Sequence, residues 1–376
     1  MRLLLVGGGL VLSFFGASPA RAQGPAAQHA LDSLRAQYHL PALLAAVIEP
    51  GQIRYVYAGV QRQGQPEPVS LGNYFHIGSN TKGVTSLLAS KLVEQGKLRW
   101  DSKLVEVVPA LRGRVLPAYA NVTLDELLAH RAGIRPYTTG PEYDHLPVFT
   151  GSVSDKRLQF ARVILQEAPV APVPGQVYTY SNAGYVLAAL MLEQASHHSW
   201  EELVAQAFGK LRLRYRLGFP NRHAAGQPWG HWQQQPTDSA LTPLEPTHAY
   251  QLRDYMAPAG DLSLPLPDMA RLVQLHLRGL LGTSNYLTAS TYQTLHFSKP
   301  AYAYGWGVST VAATGAPVSF HNGSAGTFYC QAFLYPSEKV ALVVLTNAGD
   351  DKAQLACNEL RRRLRKLYLL GQLSKR

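Results

Sequence analysis

"TFYCQAFLYPSEKVALVVLTNAG", residues 327–349, decides the fold. Two apolar runs rich in β-branched and aromatic residues flank a Pro-Ser-Glu-Lys break, which reads as strand, turn and strand with a helix following. Its counterpart lies near the other end of the chain, where "ALLAAVIEPGQIRYVYAGV", residues 42–60, reads as strand, Pro-Gly turn and strand. The middle differs. Residues 79–95, 123–130, 155–167, 183–196, 199–208 and 266–279 have helical spacing or composition, separated by loops rich in Pro, Gly and Asn. The expected architecture is α/β (α+β): an antiparallel sheet built from both termini and flanked by helices, with a mostly helical lobe inserted at roughly 80–250. Helical crossovers between parallel strands are absent from the pattern, which argues against a doubly wound fold.

The N-terminus reads as a separate signal. Arg2 precedes an apolar run, "LLLVGGGLVLSFFGA", and Ala20-Arg21-Ala22 then supplies the small-x-small pattern of a secretory cleavage site, so residues 1–22 are expected to be a signal peptide. The run is broken by three glycines and is shorter than the ~20 apolar residues of a spanning helix. The expected destination is periplasmic or extracellular. Removing Arg2 and Arg21, with no acidic residue lost, takes the formal charge from +11 to +9.

Part of that excess sits in the last helix, "NELRRRLRKLYLLGQLSKR". Ala353, Ala356, Cys357, Leu360, Leu364 and Leu367 form a core-facing stripe at helical spacing, and the arginines fall on the other side as a solvated face. Weak contact of that face with an anionic envelope surface is the alternative. Nucleic acid is not expected as a partner, because no binding motif is present. Two cysteines are too few for a disulfide scaffold. Cys330 alternates with Phe328, Ala332 and Leu334, and Cys357 lies on the apolar stripe, so the pair could meet where the last helix packs on that strand; two buried thiols are the alternative.

"FHIGSNTKGVTSLLASKLVEQGK", residues 75–97, brings a cation into an apolar helix. If Ser79 begins that helix, Lys82 lies one turn later on the same face, with side-chain bases roughly 5–6 Å apart. A hydroxyl is a poor nucleophile until a neighbour takes its proton, and an amine does that only when neutral, which burial in a dry site favours. At the helix start, outward-pointing N–H groups can also stabilise an oxyanion. A serine three before a lysine is expected roughly once by chance in a chain of this composition, so other segments must carry the reading.

They do. "PGQVYTYSNAGY" puts Tyr180-Ser181-Asn182 in a polar loop before a helix, and "SFHNGSAGTFYC" puts His321-Asn322-Gly323 beside a strand. Between them lie "MAPAGDLSLPLPDMARL" and "YAYGWGV", and "LLAHRAGI" occupies 127–134. In this order and spacing, residues 28–368 resemble the serine β-lactamase and penicillin-binding-protein superfamily, specifically the branch with class C β-lactamases, D-Ala-D-Ala carboxypeptidases, D-amino acid amidases and esterases. The resemblance implies that Ser79 is acylated, that Lys82 and Tyr180 share the proton traffic without saying which is the base, and that Asn182 orients the lysine and the substrate amide. It places the oxyanion between the backbone N–H groups of Ser79 and Ser324, after Gly323. It implies no metal or organic cofactor, and a small-molecule or peptide substrate. His130 is expected to be structural.

One departure bears on substrate. The family's third motif is usually Lys-Thr/Ser-Gly, whose lysine holds a substrate carboxylate; here His321-Asn322-Gly323 stands in its place, as in His-x-Gly forms among esterases and amidases. The expected function is an exported serine hydrolase cleaving an ester or amide bond through an acyl-enzyme. A β-lactamase or D-Ala-D-Ala carboxypeptidase is one alternative, and a catalytically inactive binding protein on the same fold is another. If His321 faces the site, its protonation near ~6.5 is expected to strengthen the binding of carboxylate-bearing substrates as pH falls. Trp229, His231 and Trp232 are candidates for the mouth of the site or for packing.

Overall fold

A computed structural model describes residues 21–22, 24–233, 235 and 240–371. The apolar run and Ala20 of the cleavage pattern lie outside these, whereas its Arg21 and Ala22 are described. Among the described residues the main sheet has seven strands, in the order Arg21–Ala22, Ile53–Gly59, Ala42–Ile48, Val340–Thr346, Tyr329–Tyr335, Pro317–Ser324 and Gly307–Thr310. Both ends of the chain thus meet at its centre, where Val343 pairs with Ala46. Every pairing is antiparallel except that of Arg21–Ala22, which runs parallel to Ile53–Gly59 and departs from the all-antiparallel expectation.

The two central strands are buried at every position. They are continuous apolar runs because both faces of the sheet are covered. One face, including Leu43, Ala45, Val47, Leu342 and Val344, packs under the helices Pro25–Gln37 and Asp351–Leu369. The other, including Leu44, Ala46, Ile48, Val343 and Leu345, packs on the helix Leu266–Leu280 and is continuous with the core of the helical segments. The alternation also separates the cysteines. Cys330, Ala332 and Leu334 join the second core, whereas Cys357 lies in the first with Tyr329 and Tyr335, so the meeting of the two thiols on one face is corrected to two free, buried thiols on opposite faces.

Between strands Tyr74–His76 and Gly307–Thr310 the chain is mostly helical, with two small sheets. The expected helices lie at Thr81–Glu94, Leu124–Leu128, Val153–Ile164, Asn182–Ser196, Trp200–Leu211 and Leu266–Leu280. The pattern does not give Pro25–Gln37 and Ala289–Phe297, nor the one-turn helices Leu104–Val107 and Ala257–Gly260. Asn182–Ser196 is buried along most of its length and packs on Thr81–Glu94. Arg157 clamps the surrounding helices from the inside: fully buried, it reaches Glu193 at 2.5 Å, pairs with Glu201 and donates to the Tyr255 carbonyl at 3.2 Å.

On the last helix the arginines are largely engaged by the protein itself. Arg361 lies over the Phe333 ring at 3.8 Å and donates to the Tyr335 hydroxyl at 2.6 Å, Arg363 pairs with Glu359, and Arg365 pairs with Glu338. No helix among the described residues is long and apolar enough to cross a membrane.

Candidate active site

Ser79 sits in a single 3₁₀ turn, Gly78–Asn80, that runs directly into the helix Thr81–Glu94. Asn80, not Ser79, holds the N-cap position, and its amide nitrogen donates to the Ile77 and Cys330 carbonyls at 3.2 Å each. The nucleophile candidate is therefore free of a capping role. Gly78 has φ +51°, in the left-handed region that glycine enters at least cost.

Glycine is needed there for space as well. A Cβ on Gly78 would lie 2.7 Å from the Ser324 nitrogen, and one on Gly323 would lie 2.0 Å from the Ile77 carbonyl oxygen and 2.8 Å from the Ser79 nitrogen. The backbones carrying the two expected oxyanion donors thus touch. In the strand pair Pro317–Ser324 with Tyr329–Tyr335, Ala325 donates to Phe328, and in an antiparallel ladder the bonding residues alternate, so the Ser324 N–H turns away from the partner strand toward Gly78.

Lys82, one turn on, is fully buried. Its Nζ lies 3.2 Å from Ser79 Oγ, 2.7 Å from Asn182 Oδ1 and 2.6 Å from the Ala259 carbonyl oxygen. Burial pushes its pKa well below the usual lysine range. Asn182 opens the helix Asn182–Ser196, and its Nδ2 donates to the Tyr137 carbonyl at 3.0 Å, which fixes Oδ1 as the atom facing the lysine. Its amide is thus committed on both sides, to Lys82 and to the main chain of Tyr137. A cavity of about 270 Å³ adjoins that loop, lined by Arg135, Tyr137, Pro141, Glu142 and His145.

Tyr180 covers the lysine. Nζ sits 4.7 Å from the ring centroid, and burial drives the phenol pKa upward, tempered by the Ser79 hydroxyl. The Tyr180 hydroxyl is enclosed but makes no hydrogen bond of normal geometry. The "LLAHRAGI" segment holds this wall in place. His130 Nδ1 accepts from the Ser181 N–H at 3.1 Å and its ring lies 4.4 Å from that of Tyr180, while Arg131 donates to the carbonyls of Tyr302 and Pro300 at 3.1 and 2.8 Å.

His321 faces inward but not as a titrating anchor. Its Nδ1 lies 2.8 Å from the Asn322 carbonyl, an acceptor only, so Nδ1 carries the hydrogen and Nε2 accepts from the Tyr302 hydroxyl at 3.0 Å. Both ring nitrogens are occupied. Burial, with Lys82 nearby, lowers its pKa to about 3, so the expected protonation near ~6.5 is corrected: desolvation keeps the imidazole neutral across the physiological range. Asn322 and Ser324 alternate with it on the exposed side of the strand.

Reading by motif brought Ser79, Lys82, Tyr180, Asn182, His321, Gly323 and Ser324 into view, and all seven converge on one site. It missed the Ala259 carbonyl, Tyr302 and the Tyr137 carbonyl. Ala259 and Tyr302 lie inside quoted segments, yet two of the three groups are main-chain atoms, which no residue type marks. The aromatic loop candidates turn out to pack. His231 is fully buried, with Nδ1 2.7 Å from the Asn347 carbonyl and Nε2 accepting from Gln63, Trp229 stacks under Arg62 at 4.0 Å, and the Trp232 ring lies 5.4 Å from that of Tyr250. No cluster of metal-binding side chains occurs among the described residues.

Comparison with known proteins bears on the family and the fold. The family model described as Beta-lactamase matches residues 27–366. Penicillin-binding protein 4 of Amycolatopsis lactamdurans is 25% identical over 343 residues, covering 86% of this chain and 84% of that protein. Protein flp of Staphylococcus aureus strain MRSA252 is 22% identical over 83% of this chain, which spans 60% of that longer protein. The fold matches the crystal structure of a class C beta lactamase from Rhodobacter sphaeroides with a TM-score of 0.69 at 20% identity, over 91% of this chain and 99% of the other.

Proposed function

The chain belongs to the Beta-lactamase family, and from that premise we propose that it is a serine hydrolase cleaving an ester or amide bond through a covalent acyl-enzyme on Ser79. The observation that carries this reading is the environment of Lys82 Nζ. Two of its three polar neighbours, Asn182 Oδ1 and the Ala259 carbonyl, can only accept hydrogen bonds. A neutral amine has two hydrogens and one lone pair. Its hydrogens go to these oxygens, and the lone pair is left facing the Ser79 hydroxyl.

In the reaction Lys82 takes the Ser79 proton as Oγ forms its bond to the substrate carbonyl carbon, and the carbonyl electrons move onto the oxygen held by the N–H groups of Ser79 and Ser324. Collapse expels the leaving group. Tyr180, kept protonated by burial, is suited to donate to it, and the proton on Lys82 replenishes the phenol. Water then attacks the acyl carbon, with proton transfers in the reverse sense, and frees Ser79. A protein that only binds has no need of a dehydrated amine at a hydroxyl, because burying one costs stability.

Substrates lacking an obligatory carboxylate fit best, because the position of the family's anchoring lysine holds the neutral His321. We also read the protein as exported, on the strength of its first 22 residues. Mass spectrometry of the N-terminus after expression in a bacterial host tests that point, and a mature chain still beginning at Met1 would overturn it.

The direct test is labelling with a fluorophosphonate, followed by turnover of p-nitrophenyl esters, D-amino acid amides and cephalosporins. Stoichiometric label on Ser79, lost with turnover in Ser79→Ala at an unchanged circular dichroism spectrum, is the expected result. Equal labelling of the alanine variant would overturn the assignment.

A further inference from the structure

The two peptide units flanking Gly78, the second of which presents the Ser79 N–H, are held by groups outside the reacting set. The Gly78 N–H donates to His76 Nδ1 at 3.1 Å, and the Gly78 carbonyl accepts from the Thr81 hydroxyl at 2.7 Å. A trans peptide points its C=O and its N–H in opposite directions, so anchoring the Gly78 oxygen sets where the Ser79 N–H aims. Gly78 has little torsional preference of its own at φ +51°, so that restraint comes from its neighbours.

His76 is fully buried beside the Phe219 and Phe328 rings, with centroids 5.1 and 6.4 Å away. Its Nε2 lies 3.0 Å from Asp261 Oδ1. Because Nδ1 receives a backbone N–H it must carry the lone pair, and the hydrogen on Nε2 is given to the carboxylate. Asp261 thereby selects the tautomer that Gly78 requires. The same aspartate directly follows the short helix Ala257–Gly260, whose Ala259 carbonyl orients Lys82, and the next residue, Leu262, donates its N–H to the Thr81 hydroxyl at 3.2 Å. One pair of side chains therefore joins the strand that leads to the nucleophile with the segment that orients its base.

Resting on the serine-hydrolase reading above, we propose that His76 and Asp261 are positioning residues: they hold the Ile77–Gly78 peptide on one side of Gly78 while Thr81 holds the Gly78–Ser79 peptide on the other, which aims the Ser79 N–H at the developing oxyanion and keeps Ser79 Oγ in line with Lys82. Removing an oxyanion donor outright costs on the order of 10²–10³ in turnover, and loosening one costs less, roughly 10- to 100-fold.

The experiment uses the full-length protein with His76→Leu, His76→Asn, Asp261→Ala and Asp261→Asn, assayed at a temperature where each is folded. The readouts are kcat and KM for a p-nitrophenyl ester and the rate of fluorophosphonate labelling. His76→Leu and Asp261→Ala are expected to lower kcat roughly 10- to 100-fold with KM changed by less than about threefold. His76→Asn keeps an acceptor oxygen near the Nδ1 position and Asp261→Asn keeps one for Nε2–H, so each is expected to recover most of the loss. A purely structural role would not sort the variants by acceptor. Wild-type kcat in both disruptive variants, equal losses in the disruptive and conservative members of each pair, or a change confined to KM would overturn the dyad. Should His76→Leu fail to fold, the two Asp261 variants make the same comparison. A labelled wild-type Ser79 with unaffected variants overturns the dyad alone, whereas a wild-type Ser79 that takes no label overturns the hydrolase reading and the dyad with it.

Discussion

Lys82 Nζ lies 2.6 Å from the carbonyl oxygen of Ala259, a main-chain atom 177 residues further along the chain. With Asn182 Oδ1 on its other side, the amine is surrounded by neutral acceptors, and burial lowers its pKa. The reading of Lys82 as base has a sharp consequence. Lys82→Arg keeps positive charge but cannot lose a proton, so it is expected to be as inactive as Lys82→Ala, each by at least ~10²-fold in kcat. Wild-type activity is expected to rise with pH through the lysine's pKa, at a pH well below the usual lysine range. An arginine variant retaining activity would show that charge, not proton transfer, is what the site needs.

For substrate choice the relevant fact is that His321 stays neutral down to about pH 3. The ratio of kcat/KM for benzylpenicillin to that for a neutral p-nitrophenyl ester is expected to favour the ester and to be flat between about pH 5 and 8, since no cation appears at that position. His321→Lys is expected to shift the ratio toward the carboxylate substrate. A wild-type ratio that rises as pH falls through ~6.5 would mean that the imidazole titrates after all.

Several histidines are buried in the neutral form, which makes acid a specific threat to the fold. Burial lowers His276 and His321 to about 3 and His231 to about 4, and lowers His130 and His296 as well. Each folded pKa lies below its unfolded value near ~6.5, so the unfolded chain binds more protons in that window and stability falls as pH drops from 6.5 toward 4. The expected slope is on the order of 1.4 kcal/mol per pH unit for each histidine involved. Urea unfolding at pH 7, 6 and 5 measures it, and a stability independent of pH over that range would contradict the burial of these rings.

Close approach of two backbones makes Gly323 sensitive. A methyl group there would meet the Ile77 carbonyl at 2.0 Å, so Gly323→Ala must push the strand away from Ser79. Loss of at least ~10²-fold in kcat is expected, with fluorophosphonate labelling slowed in parallel. Labelling at the wild-type rate would show that the strand yields without disturbing the oxyanion donors.

Cys330 and Cys357 are free, fully buried and have their pKa values raised by burial, so neither presents a thiolate. Two thiols per chain are expected to react with Ellman's reagent in guanidinium and none in native buffer, and dithiothreitol is expected to leave Tm unchanged. Fewer than two thiols in the unfolded, unreduced protein would reveal a disulfide.

Local spacing carried much of this protein into view from the sequence. Ser79 and Lys82 face one another because three residues make about one helical turn, and Asn182 and Gly323 are marked by short motifs whose residue types their chemistry demands. The strands 42–48 and 340–346 could be read as central because unbroken apolar runs betray burial on both faces. The parallel pairing of Arg21–Ala22 and the helices Pro25–Gln37 and Ala289–Phe297 were not legible, since each is fixed by what it packs against.

The sequence by itself determined which side chains could do the chemistry and that the two ends of the chain build one sheet. Tertiary structure alone decided the downward pKa shifts of Lys82 and His321, because desolvation depends on residues far away in the chain. It also supplied the carbonyls of Ala259 and Tyr137, which every residue type possesses and only folding can aim, and it brought Gly78 against Gly323 across a gap that no larger residue could close.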